Sequence, residues 1–477
     1  MKKILTTVDK AEPIKQVRTI NKELVVNGGD LDAYIELLID GEKILEKKAD
    51  SYVSNYIVAL YLMMGNVNSL GMPTIYREKI FSSITNVSSG AGGVVRLTLS
   101  PSVPSSGNGK VAVGGVGGIT IDGIYDYNYI STTQIDLVGT TYGAGWTSNT
   151  GCAILYASTT AIVSSDYNLR TPMIYIGSGT TATTINDFSL EKPIPNRTTV
   201  GGLTYNVTTL VSEDTADATS AQVTITRTFV NQTGSTTIVN ELALAASFGA
   251  LSDTTQRSVL IRDVISGGVA VANGKTLTVN YKLKTSLSAG TNPGGFTQNF
   301  AKFMYRQLNN TARPIIAIDN VSYSIPGSAV QMEVISSGGY NVPLSSAIGA
   351  LNQPGWSRGI VIGIGTTPTS MTDYFLETPI EHGTSSGKML YYGGFVEGFT
   401  IGANYAQFTV YKTIENSSGA SITINEIGLT GCSRDENGSP HLLPHKYALI
   451  TRNILTSPVT VANNEILKVA YTIKVVV

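Results

Sequence analysis

Two carboxylate pairs recur at matched places in this sequence. Asp187 and Glu191 lie four residues apart in NDFSLE, and Asp373 and Glu377 lie four apart in TDYFLE. Carboxylates so spaced can work as general acid and base or can ligate calcium. Neither pair has a neighbour in the sequence that would tune its pKa, whereas aspartate in a turn commonly accepts backbone N–H bonds. A structural role is therefore expected, with calcium as the alternative. Just upstream stand two glycine motifs, IGSGTT (176–181) and IGIGTT (362–367). A phosphate loop needs a following helix or a GK[ST] ending. Both motifs run instead into a polar turn and an L-E-x-P-I segment, so a tight turn between strands is expected and nucleotide binding is rejected.

The remaining candidates for chemistry are sparse. All three histidines, His382, His441 and His445, lie in the second half, and Cys432 precedes His441 by nine residues. A Cys-His-His zinc set is conceivable there, but SPHLLPHKY contains two prolines and supplies no helix face, and a fourth ligand is not evident. With only Cys152 and Cys432, no disulfide framework is possible. Asn-x-Ser/Thr triplets start at Asn86, Asn196, Asn206, Asn231, Asn309, Asn320, Asn416 and Asn437; in a chain so rich in Ser and Thr they carry little weight. The sequence thus assigns no catalytic, cofactor-binding or metal-binding residue.

The elements that position these residues read as β-strands. Thr, Val, Ile and Tyr alternate over short runs such as QVTITRTFV (222–230) and TLTVNYKL (276–283), broken by Gly, Asn and Pro. Two helices are expected, at about 51–64 and 296–308. Each has apolar residues at the i, i+4, i+7, i+8, i+12 spacing of an amphipathic helix. Asp50 and Ser51 are the expected caps of the first, with Gly65 after its end.

One unit is written twice. PTIYREKIFSSI matches PIIAIDNVSYSI, with Pro73 and Pro314 each opening a strand, and MIYIGSGTTATTINDFSLEKPI matches IVIGIGTTPTSMTDYFLETPI. QVTITRTFVNQTGSTTIVNELALAA matches QFTVYKTIENSSGASITINEIGLTG, aligning Asn231 with Asn416 and Glu241 with Glu426. LIRDVISGGVAVANGKTLTVNYKLK matches ITRNILTSPVTVANNEILKVAYTIK, aligning Arg262 with Arg452 and Tyr281 with Tyr471. Four blocks in one order indicate internal duplication. The expected fold is mainly β: two tandem β-sandwich units, jelly-roll or Ig-like, each preceded by one amphipathic helix. The expected domains are 1–50 (an extended arm and a β-hairpin around Asp40-Gly41), 51–290 and 291–477. The first unit carries a glycine-rich insertion at about 95–165.

These motifs resemble a module of tailed-bacteriophage virion proteins. The resemblance rests on the GTT block leading to L-E-x-P-I, the N-x-x-G turn, the closing T-L-x-V-x-Y strand, and the YVSNY and FTQNF helix starts. It covers about 51–94 and 166–477 and implies no catalytic residue. Its nearest likeness is to neck or tail ring proteins of crAss-like phages. It implies a non-enzymatic virion component, assembling as a multi-copy ring and contacting portal, neck or tail proteins. A host-surface or glycan-binding fibre, or a head decoration protein, is the alternative.

Composition is consistent with that expectation. Only 14% of the 477 residues are charged, against roughly 25% in an ordinary soluble domain. The net charge of −1 gives no drive toward nucleic acid. No apolar run approaches the roughly 18 residues of a membrane span, and the start MKKILTTVDKAEP lacks the apolar core of a signal peptide. Synthesis in a host cytoplasm, incorporation into a virion and no membrane partner are the expectations. The charge deficit itself is expected at surfaces that meet other subunits.

Overall fold

The computed structural model describes residues 15–26, 30–49, 51–63, 75–103, 108–148, 150–159, 169–206, 210–214, 220–248, 257–288, 294–309, 313–316, 322–325, 359–432 and 447–477. The chain begins with β1 (Val17–Val26), β2 (Leu31–Ile39), β3 (Glu42–Lys48), β4 (Ser51–Tyr52) and α1 (Ser54–Met63). Next come β5 (Ile75–Ser89), β6 (Val95–Ser100), β7 (Gly109–Gly114), β8 (Gly123–Ser131), β9 (Gln134–Leu137) and β10 (Cys152–Thr159). The first half ends with β11 (Leu169–Gly177), β12 (Thr204–Tyr205), β13 (Leu210–Asp214), β14 (Ser220–Val230), β15 (Thr237–Phe248), β16 (Arg257–Val271) and β17 (Thr276–Ser288). The second half contains β18 (Gly294–Phe296), α2 (Gln298–Asn309), β19 (Arg313–Ile316), β20 (Ser322–Ile325) and β21 (Gly359–Gly363). It closes with β22 (Leu390–Ile401), β23 (Tyr405–Glu415), β24 (Ile422–Cys432), β25 (Tyr447–Val461) and β26 (Ile466–Val476).

The protein is mainly β, as the alternation dictates. Leu277, Val279, Tyr281 and Leu283 of β17 are buried, as are Leu467, Val469, Tyr471, Ile473 and Val475 of β26, while residues between them tend toward solvent. Three sheet systems result, plus the small β19–β20 hairpin. A four-stranded sheet runs β11-β15-β16-β4, and β5-β6-β9-β8-β7-β10 close into a barrel. The largest sheet runs β21-β24-β25-β18-β17-β2-β1-β26-β23-β22, with β14 also on β17 and β3 on β2. This last sheet contains strands of both halves, and one hydrophobic cluster extends from Ile20 to Val475 through both. The barrel has a core of its own, including Val95, Leu97, Val111, Val113, Ile135, Leu137 and Leu155.

The N-terminal segment joins the halves. β2 pairs antiparallel with β17, and β1 pairs parallel with β26 from Val17–Ile466 to Val26–Val475. Asp40 (φ 49°) and Gly41 (φ 88°) make the two-residue turn from β2 to β3, a backbone shape that glycine adopts without strain. The outer strand β3 (EKILEKK) carries charges of both signs, which discourage further pairing at that edge.

Ion pairs fasten β1 and the residues just before it: Lys15 Nζ to Glu415 Oε1 at 2.8 Å, Arg18 to both oxygens of Glu465 at 3.1 and 3.2 Å, and, more loosely, Glu23 to Lys474 at 3.7 Å. Burial opposes charge on Glu415. Donors from Lys15, Tyr392 and Ser417 outweigh it and hold the carboxyl down, from 4.5 to about 2. A depressed folded-state pKa gives stability that is complete above the unfolded value and lost as pH falls through the folded one. Amide exchange of β1 is therefore expected to quicken, beyond the intrinsic rate change, as pH falls from 4.5 toward about 2. Glu415→Gln should loosen β1 at neutral pH and remove Glu415's share of that acid response. Unchanged protection of β1 at pH 2 would refute the assignment.

Local details depart from expectation. α1 starts at Ser54, and Ser51, expected as a cap, belongs instead to β4; Asp50, the other expected cap, lies outside the described residues. Nor does α1 bury a single stripe: Tyr56, Ile57, Val58 and Leu60 all have zero exposure. The reason is position, because α1 packs on β16 of its own half and on β23 and β26 of the other. In reciprocal fashion, α2 packs on β25 of its own half and on β14 and β17 of the first. The two proline-opened strands also differ. β5 is one strand of 15 residues in the barrel, whereas its counterpart segment contributes the short β19–β20 hairpin. The barrel accordingly takes in strand β5, upstream of residue 95.

Candidate functional site

The matched carboxylates converge on a matched arginine. Glu241 on β15 is wholly buried, with Arg262 on the neighbouring β16. Arg262 donates to Glu241 Oε2 from Nε (3.1 Å) and Nη2 (2.8 Å), and from Nη1 to Asp187 Oδ2 (2.8 Å) and to the carbonyl of Thr181 (3.2 Å). In the second half Arg452 donates to Glu426 Oε2 at 2.8 Å, to Asp373 Oδ2 at 2.9 Å and to the carbonyl of Thr367 at 3.2 Å. Burial alone would lower the Arg262 pKa, but Glu241 and Asp187 raise it instead. The same opposition, won by Asp373 and Glu426, raises Arg452. Each guanidinium is thus a buried cation held by carboxylates of its own half.

The glycine motifs wrap these carboxylates. Glu241 Oε1 accepts N–H bonds from Gly179 (3.0 Å) and Lys192 (2.7 Å), and Oε2 accepts from Glu191 (2.9 Å). Glu426 receives the equivalent bonds from Gly365, Thr378 and Glu377. One oxygen of Glu191 accepts from the amides of Thr180 and Thr181, and one of Glu377 from those of Thr366 and Thr367. Burial works against charge on Glu191, yet these amide bonds lower its pKa on balance. Glu377 is also lowered, chiefly by Thr367. The loop amides that could cradle a phosphate are therefore filled by the chain's own carboxylates.

That geometry explains the glycines. A Cβ on Gly179 would lie 2.5 Å from Oε1 of Glu241 and 2.6 Å from Cβ of Glu191, and Gly365 is confined in the same way by Glu426 and Glu377. Gly179→Ala is expected to cost about 3 kcal/mol through overpacking and displacement of a buried carboxylate. Gly365→Ala should cost about as much. Urea unfolding within about 0.5 kcal/mol of wild type, the scale of a neutral surface change, would contradict this.

Other repeated polar residues also close turns. Asn231 and Asn416 have zero exposure. Asn231 Nδ2 donates to the carbonyls of Ser235 and Val271 and its Oδ1 accepts from Thr233 N; Asn416 does the same with Ala420, Val461 and Ser418. These two sequons hold turns from the interior. Tyr205 and Tyr391, both buried, donate at 2.7 Å to the carbonyls of Ile194 and Ile380.

His382 Nδ1 accepts the amide of Tyr391 (3.1 Å), as Asn196 Oδ1 accepts that of Tyr205 (2.9 Å). Burial, aided by Lys412, lowers the His382 pKa. The Cys152 thiol is buried against the carbonyl of Pro193, and that burial pushes its pKa well up. His441 and His445 lie outside the described residues, as does the side chain of Cys432. Among the described residues no three His, Cys, Asp or Glu side chains gather as a metal site, and no helix is long and apolar enough to cross a membrane.

The sequence aligned Glu241 with Glu426 and Arg262 with Arg452 but gave them no role. The signal was there, since each is a charged residue kept at the matched position of both copies. By class, the chain is a mainly β protein whose repeated charged groups are internal ties. No protein-family model, curated protein or solved structure matches it.

Proposed function

We propose that the chain is a non-enzymatic structural component of a tailed-phage virion. In this reading it consists of two copies of one β-sandwich module and assembles as a multi-copy ring or sleeve in the neck or tail. The observation that carries it is the duplicated Glu–Arg–Asp tie: the repeated groups best suited to acid–base or anion chemistry are spent on holding loops to strands. The reciprocal packing of α1 and α2 supports the same reading. Each helix packs on strands of the opposite half as well as its own, as in an isologous pair that closes on itself. The motif resemblance supplies the virion context, and the low surface charge suits contact with other subunits.

The test is localisation and stoichiometry. Tagged protein should be found in purified virions at many copies per particle, at a ring-shaped density of the neck or tail. Its absence from virions would overturn the reading. Labelling of fibres, with glycan binding by the isolated protein, would favour a host-recognition role instead.

A further inference from the structure

The two halves differ at one acceptor. Near the start of β12, Tyr205 gives its amide hydrogen to Asn196 Oδ1 at 2.9 Å; near the start of β22, Tyr391 gives its own to His382 Nδ1 at 3.1 Å. The backbone around the two is alike, with parallel bridges at Asn196–Leu203 and His382–Met389. An asparagine oxygen accepts at every ordinary pH. An imidazole nitrogen accepts only while it carries no proton. The imidazolium presents N–H donors from both nitrogens, so turning the ring restores nothing.

That acceptor stands at one end of a line of contacts. β22 matches β23 at Leu390–Glu415 and Tyr391–Ile414, and its register then shifts before Gly394–Lys412. Tyr392 lies in the shift; its hydroxyl donates to Glu415 Oε2 at 2.6 Å, and Glu415 Oε1 accepts from Lys15, just before β1, at 2.8 Å. The line thus runs from His382 through Tyr391, Tyr392 and Glu415 to the N-terminal strand. In the first half Asn206 and Val230 stand at the positions of Tyr392 and Glu415, so no carboxylate continues it. The titratable groups around the imidazole are Glu381 and Lys388 of its own loop, paired at 2.6 Å, Tyr391 and Tyr392 of β22, and Lys412 and Glu415 of β23. Lys412 Nζ lies 5.0 Å from the centre of the Tyr391 ring. Burial and Lys412 both oppose a proton on His382, so the neutral, accepting ring is the resting form.

We propose that His382 is a proton-operated latch on the N-terminal strand. Neutral, it holds the Tyr391 amide and, through it, the Tyr392–Glu415–Lys15 line. Protonated, it releases the amide, and the start of β22 and β1 loosen together. His382 is held below its ordinary value of 6.5, so the folded state takes up the proton less readily than the opened one. The stability it contributes is complete above 6.5 and is lost as pH falls from there through the lower folded-state value. Glu415 is held down to about 2, so it stays ionised across this window and its own acid response lies well below it.

Hydrogen exchange of the full-length protein tests this, with rates corrected for the intrinsic effect of pH. From about pH 7.5 to about 5.5, protection of Leu390–Tyr391 and of Val17–Ile20 should fall about tenfold, because one unit below its free value the imidazole of the opened form is mostly protonated. Thr204–Tyr205, capped by Asn196, should not respond. His382→Asn, which copies Asn196, should abolish the fall at both places. Tyr392→Phe should keep it at β22 and remove it from β1. Nitrogen NMR of the three histidines in the wild-type chain should show one acceptor Nδ1 at neutral pH that takes up its proton over the range in which β22 loosens. Protection that is independent of pH in the wild type, or that falls equally in His382→Asn, would overturn the latch. A fall at β22 with none at β1 would overturn its link to the N-terminal strand.

Discussion

Arg262→Met should destabilise the protein by about 3–5 kcal/mol, among the largest losses a single side chain can cause here. The expectation follows from burial. Arg262 keeps 3% of its side-chain exposure, and its partner Glu241 keeps none. Removing the guanidinium leaves a carboxylate in the interior with three amide donors, from Gly179, Glu191 and Lys192, and no opposing charge. Asp187 loses its partner too, although its partial exposure lets water take up part of that loss. Arg452→Met should cost about as much, because Glu426 is equally buried. Glu241→Gln in the Arg262→Met background should recover part of the loss, since a neutral amide there no longer bears a charge. An exposed pair such as Lys43–Glu46 should be worth under about 1 kcal/mol. Urea unfolding of these variants decides the matter. A loss below about 1 kcal/mol for Arg262→Met would mean that the buried carboxylate has another counter-charge.

The tie was only half legible in the sequence. Asp187, Glu191 and their counterparts stand out by spacing, and a structural role follows from turn chemistry. The arginine could not be placed beside them, because β16 lies some seventy-five residues beyond Asp187 and the pairing of strands sets that distance. Strand character was legible because alternation is local. The partner of β1 was not, since a parallel pairing with β26 joins residues about 450 apart, and no local propensity encodes it. The glycine motifs do not make tight turns between strands: each ends a strand, β11 or β21, and opens the long loop that precedes β12 or β22, and the carboxylate it wraps became visible only with the fold. Matching prolines implied matching strands at Pro73 and Pro314. Closure of the barrel lengthened one into β5, and without a barrel the other became part of a hairpin. For α1, the spacing drew attention to one stripe, yet packing between the two halves buries Ile57 and Val58 beside that stripe as well.

The same contrast between local and long-range effects governs Gly114, whose replacement by valine should release the barrel from the Pro193–Arg197 segment it rests on. Gly114 has no unusual φ, so the effect is steric alone. A Cβ there would overlap the carbonyl oxygen of Pro193 and lie 2.7 Å from its nitrogen, both backbone atoms that cannot rotate away. Gly114 is also the register partner of Cys152, whose thiol rests on that same carbonyl. Relief must come from moving β7 and β10 together, and the separate barrel core lets them move as a body. Gly114→Val should therefore cost about 3 kcal/mol, at the upper end of ordinary overpacking, while the barrel itself stays folded. Gly143→Ala, with no neighbour within 4 Å, should be close to neutral. Hydrogen exchange should quicken at Ala112–Gly115 and Pro193–Arg197 in the valine variant, with protection of Val95–Leu99 unchanged. Wild-type exchange at Pro193–Arg197 would show that the barrel is held elsewhere.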